Sequence, residues 1–174
     1  MDAFALTLAC VAAVTAVHEA GHWLGGRAAG VPAREMRVRL LSWPPHVDLR
    51  DGGGWVSPAD YARYAEVAER YLPTAGQAFV YIAGGPVVET AAVALACGAA
   101  VALGAPAAGL VIAATALGLH TLYTAGDLAL TWRTGAPCGD ASALWAVSPA
   151  GAVAVTAGAL GVQAALAAWT AGLS

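Results

Sequence analysis

"VAAVTAVHEAGHWLGG", residues 11–26, sets His18, Glu19 and His22 at the end of a segment that otherwise suits lipid. Upstream, residues 3–17 offer only Thr7, Cys10 and Thr15 as mildly polar relief. On a helix, positions i and i+4 share one face, so His18 and His22 direct ring nitrogens at a common point while Glu19 stands beside them. H-E-x-x-H is the spacing by which two imidazoles hold a metal and a glutamate takes a proton from water. Zinc suits two imidazoles and lowers the pKa of its water from about 15.7 to about 7, so Zn2+ is the expected cofactor. In lipid, charged side chains are costly and usually functional; the bland alternative is a polar cluster that merely marks the end of a span.

Composition agrees with a membrane setting. The chain has 174 residues, 59% hydrophobic and 11% charged, with a mean hydropathy of +0.67, whereas a soluble domain carries about 25% charged residues. A net charge of −3 and the lack of any basic tract or Cys/His finger spacing give no reason to expect a nucleic-acid partner. Cys10, Cys97 and Cys138 have no paired spacing and read as small hydrophobes. The N-terminus does not read as a cleaved signal peptide, because it lacks a basic n-region and its first charge is Asp2. Met1 onwards is therefore expected in the mature protein.

A spanning helix needs about 20 largely apolar residues, and four segments qualify: about 3–28, 75–103, 106–132 and 147–172. "LGAPAAG" suits a tight connection between the second and third. Between Leu72 and Trp132 the only Asp, Glu, Lys or Arg residues are Glu89 and Asp127, with His120 between them. An Ala-rich soluble bundle is the alternative, and this scarcity of charge argues against it. Residues 30–72 differ in kind. All the basic residues are Arg, and seven of the eight lie at 27, 34, 37, 39, 50, 63 and 70. "MRVRLL" and "HVDLR" alternate like strands about the turn "SWPP", which predicts a short β-hairpin. "SPADYARYAEVAERYL" predicts a helix with Ser57 as N-cap and Pro58 at its first position. Tyr61, Tyr64, Ala65, Ala68, Tyr71 and Leu72 share its apolar face, so it is expected along the membrane interface, or else packed on the hairpin. Arg is retained on the cytoplasmic side, which puts loop 30–72 and the 133–146 connection in the cytoplasm and both chain ends outside. The expected architecture is one all-α integral membrane domain, residues 1–174, with four spans, a small cytoplasmic hairpin and an amphipathic helix.

Two imidazoles leave a hydrolytic zinc site one protein ligand short. Glu35 has no suitable helix around it, and His46 lies in the hairpin with Trp43. Asp140, in "TGAPCGDASALW", and Asp127 both reach the membrane level of residues 18–22. Asp127 has helical continuity but equally suits a helix-packing acceptor. Asp140 follows Gly135, Pro137 and Gly139, so the chain can bend back and aim a short side chain from the start of a new helix.

These motifs resemble those of the site-2 proteases, intramembrane zinc metalloproteases, from the first span to about residue 147. "HEAGHWLGGRAAGVP" is similar to the family's first-helix motif and its small-residue tail. "AGGPVVETAAV" resembles the G-P-x-x-N pattern of the second helix, with Glu89 where Asn is usual. "APCGDASALW" resembles the Asp-Gly motif that supplies the last zinc ligand, with Ala141 in place of Gly and without the preceding Asn-Pro. The resemblance implies His18, His22 and Asp140 as zinc ligands, Glu19 as general base, and Glu89 in contact with substrate backbone or the attacking water. A structural hydrogen bond is the other reading of Glu89 and a packed core histidine the main reading of His120, and both residues are candidates for contact with substrate or with a metal ligand from behind. The hairpin resembles the strand that meets unwound substrate in that family, and Pro44–Pro45 would limit self-pairing of such an edge.

The expected function is zinc-dependent cleavage of membrane-protein substrates in or near the bilayer of the cell membrane, at a site open to the cytoplasm. Two rivals belong to other classes. A membrane scaffold keeping the fold without proteolysis is motivated by the Glu89 and Ala141 departures. A metal transporter would spread ligands across the membrane depth, whereas these gather at one end.

Overall fold

The computed structural model describes residues 3–174, so Met1 and Asp2, on which the reading of the N-terminus rests, lie outside the described residues. Four long helices form the body: α1 (Ala3–Ala28), α3 (Ala75–Ala102), α4 (Pro106–Thr134) and α6 (Pro149–Ala171). Each is long and apolar enough to cross a membrane. Between α1 and α3 come strands β1 (Met36–Arg39), β2 (His46–Asp51) and β3 (Gly54–Val56) and helix α2 (Tyr61–Tyr71); a short α5 (Asp140–Val147) precedes α6.

The helix ends are set by local chemistry. Thr74 caps α3 by accepting the Gln77 amide, and Ser148 caps α6 by accepting that of Gly151, with Pro149 in its first turn. Pro106 opens α4 after the three-residue link Leu103–Ala105, and Gly135 closes it with φ of 74°, a left-handed turn that glycine adopts without a Cβ clash. α3 packs against α1, α4 and α6. Its closest approach is to α1, where a Cβ on Gly21 would overlap the Gly84 carbonyl oxygen and a Cβ on Gly25 would meet the Val80 carbonyl. Small residues let the two backbones approach this closely, as in membrane helix pairs.

The segment between the first two long helices forms a cap with its own core. Its sheet is an antiparallel meander in the order β1-β2-β3, with Met36 opposite Leu49, Arg39 opposite His46, and Leu49 opposite Val56. The expected two-stranded hairpin is thus one strand short. "DGGG" turns the chain into β3, which is too short to carry an alternation that the sequence could reveal. Val31, Met36, Val47, Leu49, Val56, Val67, Leu72 and Tyr81 make one buried cluster.

Helix α2 takes the second of its two expected places, packed on the sheet. Its apolar face is spent on the cap: Val67 is 1% exposed, and Tyr64, Ala68 and Tyr71 pack on the same cluster. It begins one turn later than expected, with Asp60 rather than Ser57 as cap, while Ser57 Oγ accepts the Ala59 amide. Two outer arginines, Arg63 and Arg70, tie α2 to Asp51 of β2, and those guanidiniums, Arg63 first, hold the Asp51 carboxyl below its usual range.

Candidate metal centre

Helix α1 turns His18 and His22 toward α3 and the start of α5. His22 Nδ1 lies 3.2 Å from the Tyr81 carbonyl oxygen, and His18 Nδ1 lies 2.7 Å from Glu89 Oε2. A carbonyl and a carboxylate only accept, so both Nδ1 atoms donate, and in the neutral rings both Nε2 atoms keep their lone pairs. The two Nε2 atoms converge to 3.1 Å. Asp140 Oδ2, on the first residue of α5, stands 2.8 Å from His18 Nε2 and 3.2 Å from His22 Nε2. Together these three residues form a group with ligand atoms within 4.8 Å of one another.

The donor set fits zinc. Bonds of about 2.0–2.1 Å in a tetrahedron keep donors about 3.3–3.4 Å apart, within about half an ångström of the observed edges. Three lone pairs aimed at one point repel one another unless a cation or a proton lies between them. Gly85 keeps the space beside them open: a Cβ there would sit 2.5 Å from His22 Nε2 and 3.0 Å from His18 Nε2. The Asp140 side chain is 34% exposed, so solvent reaches the group from that side. Burial opposes its ionisation, but the imidazoles of His22 and His18 outweigh that and hold its carboxyl below the usual range.

Glu19 is 7% exposed and lies within electrostatic range of His22, His18 and Asp140. Its carboxylate makes no hydrogen bond to a described residue and meets the three ligand candidates through electrostatics alone, so its lone pairs remain available. Across the cap boundary, the Tyr64 hydroxyl donates to the Val47 carbonyl at 2.9 Å and therefore accepts from the Tyr81 hydroxyl at 2.6 Å. Burial pushes the Tyr64 phenol well above its ordinary pKa, so it stays a donor. Tyr81 thus ties the cap to α3 with its side chain and orients His22 with its carbonyl.

Asp127 is engaged elsewhere. Its Oδ2 accepts the Ser142 amide at 2.9 Å and its Oδ1 the Ser142 hydroxyl at 2.5 Å, with Thr131 Oγ1 donating at 3.1 Å. Gly139 begins α5 without a side chain to cap it, and Asp127 supplies the missing acceptor from the neighbouring helix. The absent Cβ also makes room, since one on Gly139 would lie 2.8 Å from Asp127 Cγ. His120 stands behind Glu89, its Nδ1 3.7 Å from Glu89 Oε1. His46 is held within the cap by the Pro44 carbonyl and Asp48, each at 2.9 Å.

Four participants escaped the sequence reading. Gly85 was signalled by the Gly-Gly-Pro interruption of an apolar span but not as a site residue. The Tyr81 carbonyl is a backbone group and leaves no residue-type signal. Ser142 lies in a helix too short for periodicity. Gln163, a lone amide in the apolar run of α6, donates to Glu89 Oε1 at 2.9 Å, and its isolation in that run was the available clue. Compared with known proteins, the chain matches no family model, no curated protein and no solved structure.

Proposed function

We propose that the protein is a zinc-dependent intramembrane endopeptidase. The carrying observation is the convergence of His18 Nε2, His22 Nε2 and Asp140 Oδ2 beside the Glu19 carboxylate, at the cap end of four apolar helices. Zinc, when bound, supplies a Lewis acid that makes water nucleophilic at neutral pH. His18, His22 and Asp140 would hold it. Glu19 accepts the proton of the attacking water and returns it to the leaving amine. A helical substrate has every backbone group bonded and resists attack, so it has to unwind first. β1 is an edge strand, and a shallow cavity of about 340 Å³ lined by Ala20, Trp23, Leu24 and Val38 lies between it and α1. Strand addition along β1 would hold an unwound segment next to Glu19.

The polar groups do extend deeper than the ligand trio, through Glu89 to His120 and Gln163, which is the one feature that favours a transport path. Beyond Glu89, however, the cavity of about 300 Å³ between α1, α3 and α4 is lined by Cys10, Val14, Val17, Val93 and Ile112 with small residues. It has no further carboxylate or imidazole to pass an ion onward.

The deciding experiment pairs zinc analysis with a cleavage assay on candidate membrane-protein substrates. Glu19→Gln keeps the side chain's shape but cannot take the proton, so cleavage is expected to fall by about 10²–10⁴ with zinc retained. Cleavage at the wild-type rate by this variant overturns the mechanism. Stoichiometric zinc with no cleavage of any substrate by the wild type favours the scaffold.

A further inference from the structure

We infer that Glu89 is a positioning residue that fixes the tautomer and direction of His18, and that Gln163 and His120 hold it there. This rests on the zinc reading above. Glu89 is where all four long helices meet. From α3 it reaches His18 on α1 at 2.7 Å, Gln163 on α6 at 2.9 Å, and His120 on α4 at 3.7 Å. Inside an apolar bundle a carboxylate is an expensive way to join helices, and mere packing needs no such group.

Its effect on His18 follows from donor and acceptor rules. His18 stands between two carboxylates, Glu89 at Nδ1 and Asp140 at Nε2. If Nε2 carried the only ring proton, His18 would donate to Asp140 and present no lone pair to a metal. Glu89 draws that proton to Nδ1 instead, which frees Nε2 as a ligand. A carboxylate behind a ligating histidine sets ring orientation and raises ligand basicity.

Gln163 shows that the arrangement is held at some expense. It is 0% exposed, its Nε2 donates to Glu89 Oε1, and its Oε1 has no hydrogen-bond partner. Turning the amide over would set its oxygen against the Glu89 oxygen, acceptor to acceptor. Gln163 is therefore confined to the donor role and leaves its own carbonyl unpaired, which is unusual for a buried group. That choice makes sense if the fixed quantity is the direction of Glu89.

The test uses the purified full chain in detergent, stripped of metal, with zinc affinity read by chelator competition. The ligand-field spectrum of the Co2+-loaded protein and the melting temperature of the metal-free protein are read alongside. Glu89→Leu removes the acceptor, Glu89→Gln retains a weaker one, and Gln163→Leu removes the brace. Loss of such an outer partner typically costs 10- to 100-fold in metal affinity, so Glu89→Leu is expected to lose about that much. Glu89→Gln and Gln163→Leu should each lose less, with altered Co2+ spectra and little change in metal-free melting. Wild-type affinity and spectrum in Glu89→Leu, or in Glu89→Gln should the leucine variant not fold, overturn the inference. So does a drop in metal-free melting that accompanies an unchanged Co2+ spectrum, which would make Glu89 only a packing contact. A wild type that takes up no zinc instead overturns the metal reading on which this rests.

Discussion

Asp140 and Asp127 lie 13 positions apart and both act at the start of α5, Asp140 as its first residue and Asp127 from α4, yet their oxygens face different partners. Asp140 meets the two imidazoles, and Asp127 caps the helix that carries it. Replacing Asp140 with Ala removes one of the three candidate ligand atoms, and on the proposed zinc reading elemental analysis is expected to find stoichiometric zinc lost. Asp127→Ala leaves the ligand trio intact but removes a cap worth about 0.5–2 kcal/mol, so it should keep zinc with reduced affinity. Full zinc in Asp140→Ala together with loss in Asp127→Ala would reverse these roles. The sequence put both carboxylates at the level of His18 and His22 but left them competing, because the intervening Gly135–Gly139 turn sets where each one points. His18, Glu19 and His22 were legible because helical spacing alone brings them together. Gln163 was not, since its role depends on which helix α6 packs against.

Among elements, the α1–α3 pair controls the site most directly, because α1 brings both imidazoles and α3 brings Glu89, the Tyr81 carbonyl and Gly85. Gly21 and Gly84 hold the two backbones together, and neither can yield to a Cβ because what it would meet is backbone. Gly84→Ala is therefore expected to push the helices apart at the level of His22. Overpacking costs about 1–3 kcal/mol, to be read as lower melting of the purified protein and weaker zinc binding together. Unchanged melting and affinity would show that the contact is looser than these distances say. The four long helices were legible as apolar runs, since each is nearly uniform in composition. The cap was legible only in part. A three-residue strand and an eight-residue helix carry too few positions to show a period, and the apolar face of α2 suits a sheet as well as an interface.

At the scale of the whole molecule, charge and apolar surface separate cleanly along the helix axes. Seven of the eight arginines lie between Arg27 and Arg70 and the eighth is Arg133, all of them at the cap end, where α1 and α4 finish and α3 begins. The flanks of the long helices expose Phe4, Leu8, Leu95, Leu122 and Val153; in water such surface is disfavoured by about 25 cal/mol per Å², whereas acyl chains meet it without that cost. Helices of 23 to 29 residues are about 35–44 Å long, more than the roughly 30 Å of a hydrocarbon core. With arginine retained in the cytoplasm, the cap and the solvent-facing side of Asp140 should lie inside the cell and Ser174 outside. Cysteine labelling of intact cells tests this. Cys138 is the exposed native thiol, whereas Cys10 and Cys97 are buried, so Cys138→Ser gives a quiet background. Gly53 is the better cap position to mutate, because it has open space around it and Gly52 beside it holds a φ of 58° that cysteine rarely adopts. Gly53→Cys is expected to react with an impermeant maleimide only after the membrane is opened, and Ser174→Cys without opening it. Labelling of Gly53→Cys in intact cells, with Ser174→Cys protected, would invert the molecule and place the His18–His22–Asp140 group on the outer side.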